Sequence, residues 1–219
     1  MKPNFSFEKK LAKQGFDLIA GVDEVGRGCF AGPVVAGCVV FGKKIYKSKV
    51  FEVKINDSKK LSQKQREAAD RWIRENAHAY GLGQASVAQI NRFGIKKATE
   101  IAFRKAIKDC EVGIDYLLID AFYVPYVKGL RRRNQKAIVK GDTKSVSIAA
   151  ASIIAKVYRD KLMVDLSKEA KYKKYRWEKN KGYGTKEHQK MILKHCISKL
   201  HRSQFVESWI KNSSSSRAR

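Results

Sequence analysis

Acidic residues are scarce in this 219-residue chain, 21 Asp and Glu against 47 Lys and Arg, and three of them stand where an apolar run ends. Residues 17–24, Asp-Leu-Ile-Ala-Gly-Val-Asp-Glu, read as a buried strand closing on Asp23 and Glu24, which Gly26-Arg27-Gly28 then breaks. Residues 116–119 are a short apolar run closing on Asp120, and Asp142 follows an edge strand in Val139-Lys140-Gly141-Asp142. Strand ends place side chains at a shared sheet edge, and carboxylates gathered there repel one another unless a cation neutralises them. Magnesium prefers oxygen ligands and keeps several waters, so a carboxylate cluster suits it. Two such ions can activate a water and stabilise the leaving oxygen of a phosphodiester. The plainer alternative is that an acid after a strand forms a turn or caps a helix. That reading is preferred for Asp120 taken alone, both stand for Asp23 and Glu24, and spacing by itself does not bring the four together.

Several elements must position these acids. Residues 33–41 read as a second strand, making a hairpin with the first across a glycine-rich turn. Ser62 with Gln65 forms a capping box, so a helix follows with Ala69, Trp72 and Ile73 inward. A third strand is expected near Tyr80 to Val87. A helix is expected over 95–109, where Ile95, Ala98, Ile101, Ala102, Ala106 and Ile107 recur at helical spacing. Tyr116 to Ile119 gives a fourth strand, Ala137 to Val139 a fifth, and the Ala/Ile-rich run Ser147 to Leu166 a buried helix.

From Lys171 onward 14 Lys and Arg face three acids, with Tyr172, Tyr175, Trp177 and Tyr183 interleaved, which suggests a surface turned toward nucleic acid. The formal net charge of +26 points to a polyanionic partner, although a solvated lysine-rich surface would give the same number. An anionic membrane fits less well, because no basic helix with a bulky apolar face is present and no apolar run has the length of a span. Residues 1–15 contain no apolar stretch followed by a cleavage site, so a cytoplasmic location is expected. Cys29, Cys38, Cys110 and Cys196 lie far apart and form no CxxC pair, so they read as reduced thiols rather than a zinc site.

Gly21-Val-Asp-Glu-Val-Gly-Arg-Gly28 followed by Ala31-Gly-Pro-Val34 resembles the N-terminal signature of the bacterial ribonuclease HII family. Further motifs follow in that family's order: Asn56-Asp-Ser-Lys-Lys-Leu-Ser62, Leu118-Ile-Asp120 with Pro125, Lys140-Gly-Asp142, Ser147 to Val157 with Arg159-Asp160, Lys181-Gly-Tyr183 with Thr185 and His188, and His201-Arg202 with Phe205. The resemblance runs from about Gly21 to Phe205. It implies an α/β ribonuclease H-like fold, a mixed central sheet flanked by helices with a small helical C-terminal part. The expected division is a catalytic domain over 1–168, a basic helical subdomain over 169–212 and a flexible tail over 213–219. It implies an endonuclease that hydrolyses the RNA strand of RNA–DNA hybrids and cuts 5′ of ribonucleotides embedded in duplex DNA, leaving a 3′-hydroxyl and a 5′-phosphate. Asp23, Glu24, Asp120 and Asp142 would hold Mg2+ or Mn2+ and carry catalysis. Gly26, Arg27 and Gly28 would sense the 2′-hydroxyl, Tyr183 would stack on the sugar at the RNA–DNA junction, and Lys59 and Arg202 would touch phosphate. The expected partners are hybrid and ribonucleotide-containing duplexes, and the expected state is a monomer. Three residues depart from the family pattern: Ala121 where glycine is usual, Asn91 where aspartate is common, and Gln204 in place of serine. The competing readings are a ribonuclease HIII-like nuclease, disfavoured because only about twenty residues precede the first motif, and a non-catalytic hybrid binder, disfavoured by the intact carboxylate quartet.

Overall fold

The first two apolar runs do pair. In the computed structural model, which describes residues 2–47 and 52–215, Ile19–Val25 (β1) and Val34–Val40 (β2) lie antiparallel with Asp23 opposite Gly37. Residues 216–219 of the expected tail lie outside the described residues. Every residue of β2 is buried, the pattern of a strand covered on both faces. Tyr116–Asp120 (β4) runs parallel to β1, and Gln135–Ile138 (β5) runs parallel to β4. With Ala79–Ala85 (β3) the five strands form one mixed sheet in the order β3-β2-β1-β4-β5. The fifth strand starts two residues earlier than the apolar pattern suggests, and Val139 is left outside and 68% exposed. Gln135 explains the shift: its side-chain amide both accepts from the backbone N–H of Val124 and donates to its carbonyl, each at 3.1 Å, so a polar residue is satisfied inside the strand.

The capping box at Ser62 opens Gln63–Asn76 (α2), with Ala69 and Ile73 buried and Trp72 packed at the edge of the core. A second capping box, Ser86 with Gln89, opens Val87–Asp109 (α3) well before the periodic stretch from Ile95. Gly94, with φ 78, kinks that helix, which is why its two halves do not share one apolar period. Val146–Lys168 (α4) is the expected buried helix. Its first turn lies on β1 so closely that a Cβ at Gly21 would come within 2.2 Å of the Ser147 carbonyl carbon, so only glycine fits there. The N-terminus of α4 is held by Glu8 of Ser6–Ala12 (α1), which is fully buried and accepts from the Ser145 hydroxyl at 2.6 Å and the Ser147 amide at 3.2 Å. A carboxylate there suits the positive end of the helix. Among the described residues no helix is long and apolar enough to cross a membrane.

The chain divides into two compact units, one of Met1–Val25, Val35–Gln84 and Thr99–Val157, the other of Gly26–Val34, Ala85–Ala98 and Tyr158–Arg219. The first contains the sheet and an apolar core around Phe41, Ile73, Ile153 and Ile154. The second contains Ala170–Lys173 (α5), Trp177–Asn180 (α6), Lys186–His195 (α7) and Ser203–Ser215 (α8). Its core corrects the sequence reading of the aromatics. Tyr172, Tyr175 and Trp177 are buried with Ala31 and Met163, and Tyr175 stacks on Trp177 at 5.5 Å, so only Tyr183 of the four offers a surface.

Two histidines complete that core. Trp177 Nε1 can only donate, so His188 Nε2 accepts from it at 3.2 Å, and His188 Nδ1 carries the proton that it donates to the Tyr183 carbonyl at 2.9 Å. His201 Nε2, 3.1 Å from His188 Nε2, must then be its donor, and His201 Nδ1 accepts from the Ser198 amide at 2.9 Å. Both rings are therefore neutral. Burial, helped by His188, pushes the His201 imidazole down to about 3.

Two outcomes follow. Ala121 has φ 65, so it sits in the left-handed region where the family's usual glycine costs nothing. That conformation costs alanine about 1–2 kcal/mol, and glycine returns about 0.4–1 kcal/mol to the unfolded chain. Ala121→Gly should therefore stabilise the fold by about 0.5 kcal/mol or slightly more, read as a higher denaturation midpoint. A lower midpoint would show the backbone there to be unstrained. The second outcome concerns acid. The unfolded chain protonates His201 near pH ~6.5 while the folded chain refuses the proton down to about 3. This contribution to stability is complete above pH ~6.5 and is lost as pH falls, by about 2 kcal/mol at pH ~5. The drop in Tm between pH ~7.5 and ~5 should be smaller in His201→Gln than in the natural chain. Equal drops would assign the acid sensitivity elsewhere.

Candidate active site

Three adjacent strands end at one edge of the sheet in the first unit, and each brings an acid. The register Val22 opposite Ile119 continues to set Asp23 beside Asp120, and Asp120 pairs with Ile138, four residues before Asp142. This is the carboxyl edge of parallel strands, where open α/β sheets bind ligands. Asp120 is fastened by its Oδ1, which accepts from the Gly141 amide at 2.7 Å and so ties β4 to the single 3-10 turn Gly141–Thr143 that carries Asp142. Asp23 Oδ1 accepts from the Glu24 amide at 2.7 Å, and the Ser152 hydroxyl of α4 also bonds Asp23. Ser152 lies 3.0 Å from the Ser58 hydroxyl, so the Asn56 to Ser62 motif is joined to the same carboxylate through two serines.

The electrostatics show crowding. Asp23 is 5% exposed, and burial, Glu24 and Asp120 push its carboxyl well above the usual range. Burial, Asp57 and Asp120 raise Asp142, against the opposing pull of Lys59. Lys59 itself is exposed, in the 3-10 turn Ser58–Lys60, and its own backbone amide donates to the Asp57 side chain. Among the described residues no three His, Cys, Asp or Glu side chains stand ready-made around one point. The reason is visible for Asp23 and Asp120, whose Oδ1 atoms are drawn to backbone amides. The donor set nevertheless fits a hard divalent cation. All four groups offer carboxylate oxygen, and a cation would offset both the burial and the repulsion that raise Asp23 and Asp142.

The second unit holds the Gly26–Val34 loop and Tyr183. Two buried arginines brace the loop. Arg159 donates to the carbonyls of Pro33, Ala31 and Lys181, each at 3.0 Å, and Arg202 donates to those of Gly32 at 3.0 and 2.9 Å and Arg27 at 2.7 Å. Arg202 thus departs from the expected phosphate contact: its guanidinium is fully buried and spent on backbone oxygens. Gly26 has φ 88, and a Cβ on it would meet the Arg159 Nε at 2.2 Å, so the fold alone demands glycine there. Gly28 differs, since a Cβ on it would meet nothing within 4 Å. Arg27 and Gly28 are exposed. Tyr183 pairs its backbone with Cys29, places its ring 5.7 Å over the Arg159 guanidinium and remains 36% exposed. Burial first, then the neighbouring Cys29, pushes its hydroxyl up to about 12. Asn91 bonds the His201 carbonyl through its amide nitrogen and the Ser203 amide through its oxygen, a double task that the family's usual aspartate could only half perform. Sequence reasoning missed Arg159 and Ser152 as positioning groups, because nothing in a motif distinguishes a buried arginine or serine from a solvated one.

Comparison with known proteins identifies the family and the fold. Residues 20–210 match the family described as Ribonuclease HII. The chain is 45% identical over 205 residues to the Ribonuclease HII of Caldanaerobacter subterraneus subsp. tengcongensis, covering 94% of this chain and 80% of that one. Its fold resembles the ribonuclease H2 of Pyrococcus horikoshii OT3, with a TM-score of 0.70 and 24% identity over 88% of this chain and 99% of that chain. It also resembles Bst-RNase HIII in complex with Mn2+, with a TM-score of 0.65 and 20% identity over 90% of this chain and 70% of that chain. A family match over nearly the whole chain, together with this identity and fold, places the protein in the ribonuclease HII family, hydrolases with ribonuclease H activity on RNA–DNA hybrids.

Proposed function

We propose that this ribonuclease cuts on the 5′ side of ribonucleotides, within hybrids and singly embedded in duplex DNA, and leaves a 3′-hydroxyl and a 5′-phosphate. The observation that carries the proposal is the convergence of Asp23, Asp120 and Asp142 at one sheet edge, where burial first and then neighbouring carboxylates raise Asp23 and Asp142. Asp23, Glu24, Asp120 and Asp142 would hold Mg2+ or Mn2+, the latter found with the similarly folded Bst-RNase HIII. When bound, the cation supplies Lewis-acid polarisation of the phosphodiester and eases deprotonation of a water. The residues themselves do the positioning. Ser152 and Ser58 orient Asp23, the Gly141 amide orients Asp120, and Lys59, exposed near Asp142, would meet a phosphate.

The Gly26-Arg27-Gly28 loop supports ribonucleotide sensing. Internal packing does not require glycine at 28, so an external approach to the backbone is the better account of it. The 2′-hydroxyl is the group that separates RNA from DNA at one position, and a backbone free of side chains can read it. Arg202, through the Arg27 carbonyl, and Arg159 would hold that loop in shape. Tyr183, held by His188 at its carbonyl, presents an aromatic face suited to the sugar beyond the ribonucleotide. The basic segment over 169–212 would add phosphate contacts through Lys173 and Lys174. Arg176 is spent on Glu187 at 2.5 Å and contributes less than its charge suggests. A reducing, cytoplasmic setting agrees with four free cysteines, three of them buried.

Cleavage should need Mg2+ or Mn2+ and stop with a chelator. Asp23→Asn or Asp120→Asn should abolish cutting while hybrid binding persists, and full activity in either variant would remove those acids from the site. Ribonucleotide recognition is tested by two further variants. Gly28→Ala should keep the natural Tm but lose activity on a duplex with one embedded ribonucleotide. Tyr183→Ala should lose about ten- to a hundredfold in kcat/KM on that duplex, the cost of about 1–3 kcal/mol of stacking, and less on a long hybrid. Equal losses on both substrates, or a lowered Tm that accounts for them, would make both residues structural.

A further inference from the structure

Residues 121–133, Ala-Phe-Tyr-Val-Pro-Tyr-Val-Lys-Gly-Leu-Arg-Arg-Arg, carry four cations and no acid. Residues 126–130 of this stretch, with the C-terminal end of α3 and residues 111–114, line a groove of about 740 Å³ in the first unit. Ile107, Val112, Ile114, Val127 and Leu130 give it apolar walls. The half-buried Arg104 and the exposed Lys108 and Lys128 stand on it against the single acid Glu111 among its lining residues, and the exposed Arg131, Arg132 and Arg133 follow. The groove is preformed, because Arg104 donates to the Pro125 carbonyl at 3.1 Å and so pins the loop to α3.

One residue on it is held at a cost: Tyr126 is 92% exposed with φ 56. A side chain in the left-handed region is strained, and a ring left in water recovers none of that strain by burial. Unrelieved strain and an unburied aromatic beside an apolar concavity mark a surface completed by a ligand.

We propose that this groove binds an acidic peptide segment bearing bulky apolar side chains. The apolar side chains enter between Ile107 and Leu130, Tyr126 closes over them, and the carboxylates meet Lys108, Lys128 and the arginines at 131–133. Concave sites of this size are lined by apolar groups with a few polar ones for orientation, and charge of opposite sign on the rim selects the partner. A nucleic-acid backbone gains nothing from an apolar floor, since phosphates seek rows of donors on an open face.

The test is fluorescence anisotropy with the full chain at about 0.15 M salt, where long-range attraction to a basic protein is screened. The probe is fluorescein-labelled Asp-Asp-Glu-Asp-Leu-Phe-Ile, and its control carries serine at the last three positions. The probe should bind at least about tenfold tighter than the control, a difference of about 1.4 kcal/mol. Tyr126→Ala should weaken probe binding about tenfold or more while hybrid cleavage is unchanged, and Leu130→Ser should act in the same direction. Equal binding of probe and control would mean charge alone. No effect of Tyr126→Ala would place the peptide elsewhere, and parallel losses of a short single-stranded DNA in both variants would make the surface a nucleic-acid contact. Each of these results overturns the proposal.

Discussion

Mutual repulsion among carboxylates is the constraint around which this molecule is arranged. A chain of net charge +26 could neutralise its acids with lysine or arginine, yet among the described residues the groups that act on the buried Asp23 carboxyl are carboxylates, a serine and a backbone amide. Folding must hold such a group against its own preference for water. The register of β1 and β4, the tie from Asp120 to the Gly141 amide and the contact from Ser152 to Asp23 all hold the acids in place. The close seat of α4 on Gly21, and the buried Glu8 at the first turn of that helix, fix the platform from which Ser152 reaches. Stability is spent at a site whose reward comes from a cation and a substrate, the usual bargain between function and stability.

The second unit solves a different problem with the opposite charge. Two guanidiniums are taken out of water and satisfied by six bonds to carbonyls, five of them on the loop from Arg27 to Pro33. Burial lowers Arg202 to about 10, which leaves it charged at neutral pH. Bonds from a charged donor are stronger than neutral ones, so the loop is held by its carbonyls as well as by the buried Cys29, Ala31 and Val34. The exposed face of Tyr183 depends on the same Arg159 and, through its carbonyl, on the neutral pair His188 and His201.

Much of this was legible in the sequence, for physical reasons that can be named. Strands β1, β2 and β4 announce themselves as apolar runs buried in the sheet, β1 and β4 closing on acids, and α2 does so through Ser62 and Gln65. The start of α3 was hidden by Gly94, which breaks its periodicity, and the span of β5 by Gln135, a polar residue satisfied within the strand. Tyr172, Tyr175 and Trp177 were read as a surface because they lie among lysines. In a short helical segment those lysines occupy the outer face and the aromatics the inner one. Arg202 was read as a phosphate contact because composition does not reveal whether an arginine faces carbonyls or solvent. Ala121 was legible as a departure from the family pattern, but its strain is apparent only from its φ of 65.

The central claim is that Asp23, Glu24, Asp120 and Asp142 form one cation site. It is tested most directly by the melting temperature of the protein, without substrate, as Mn2+ is titrated. A ligand that binds only the folded state raises stability by about 2.7 kcal/mol at ~100 times its Kd. The account predicts a saturable rise in Tm for the natural chain and little or none for Asp120→Asn. An equal rise in both proteins, or none in either, would contradict it.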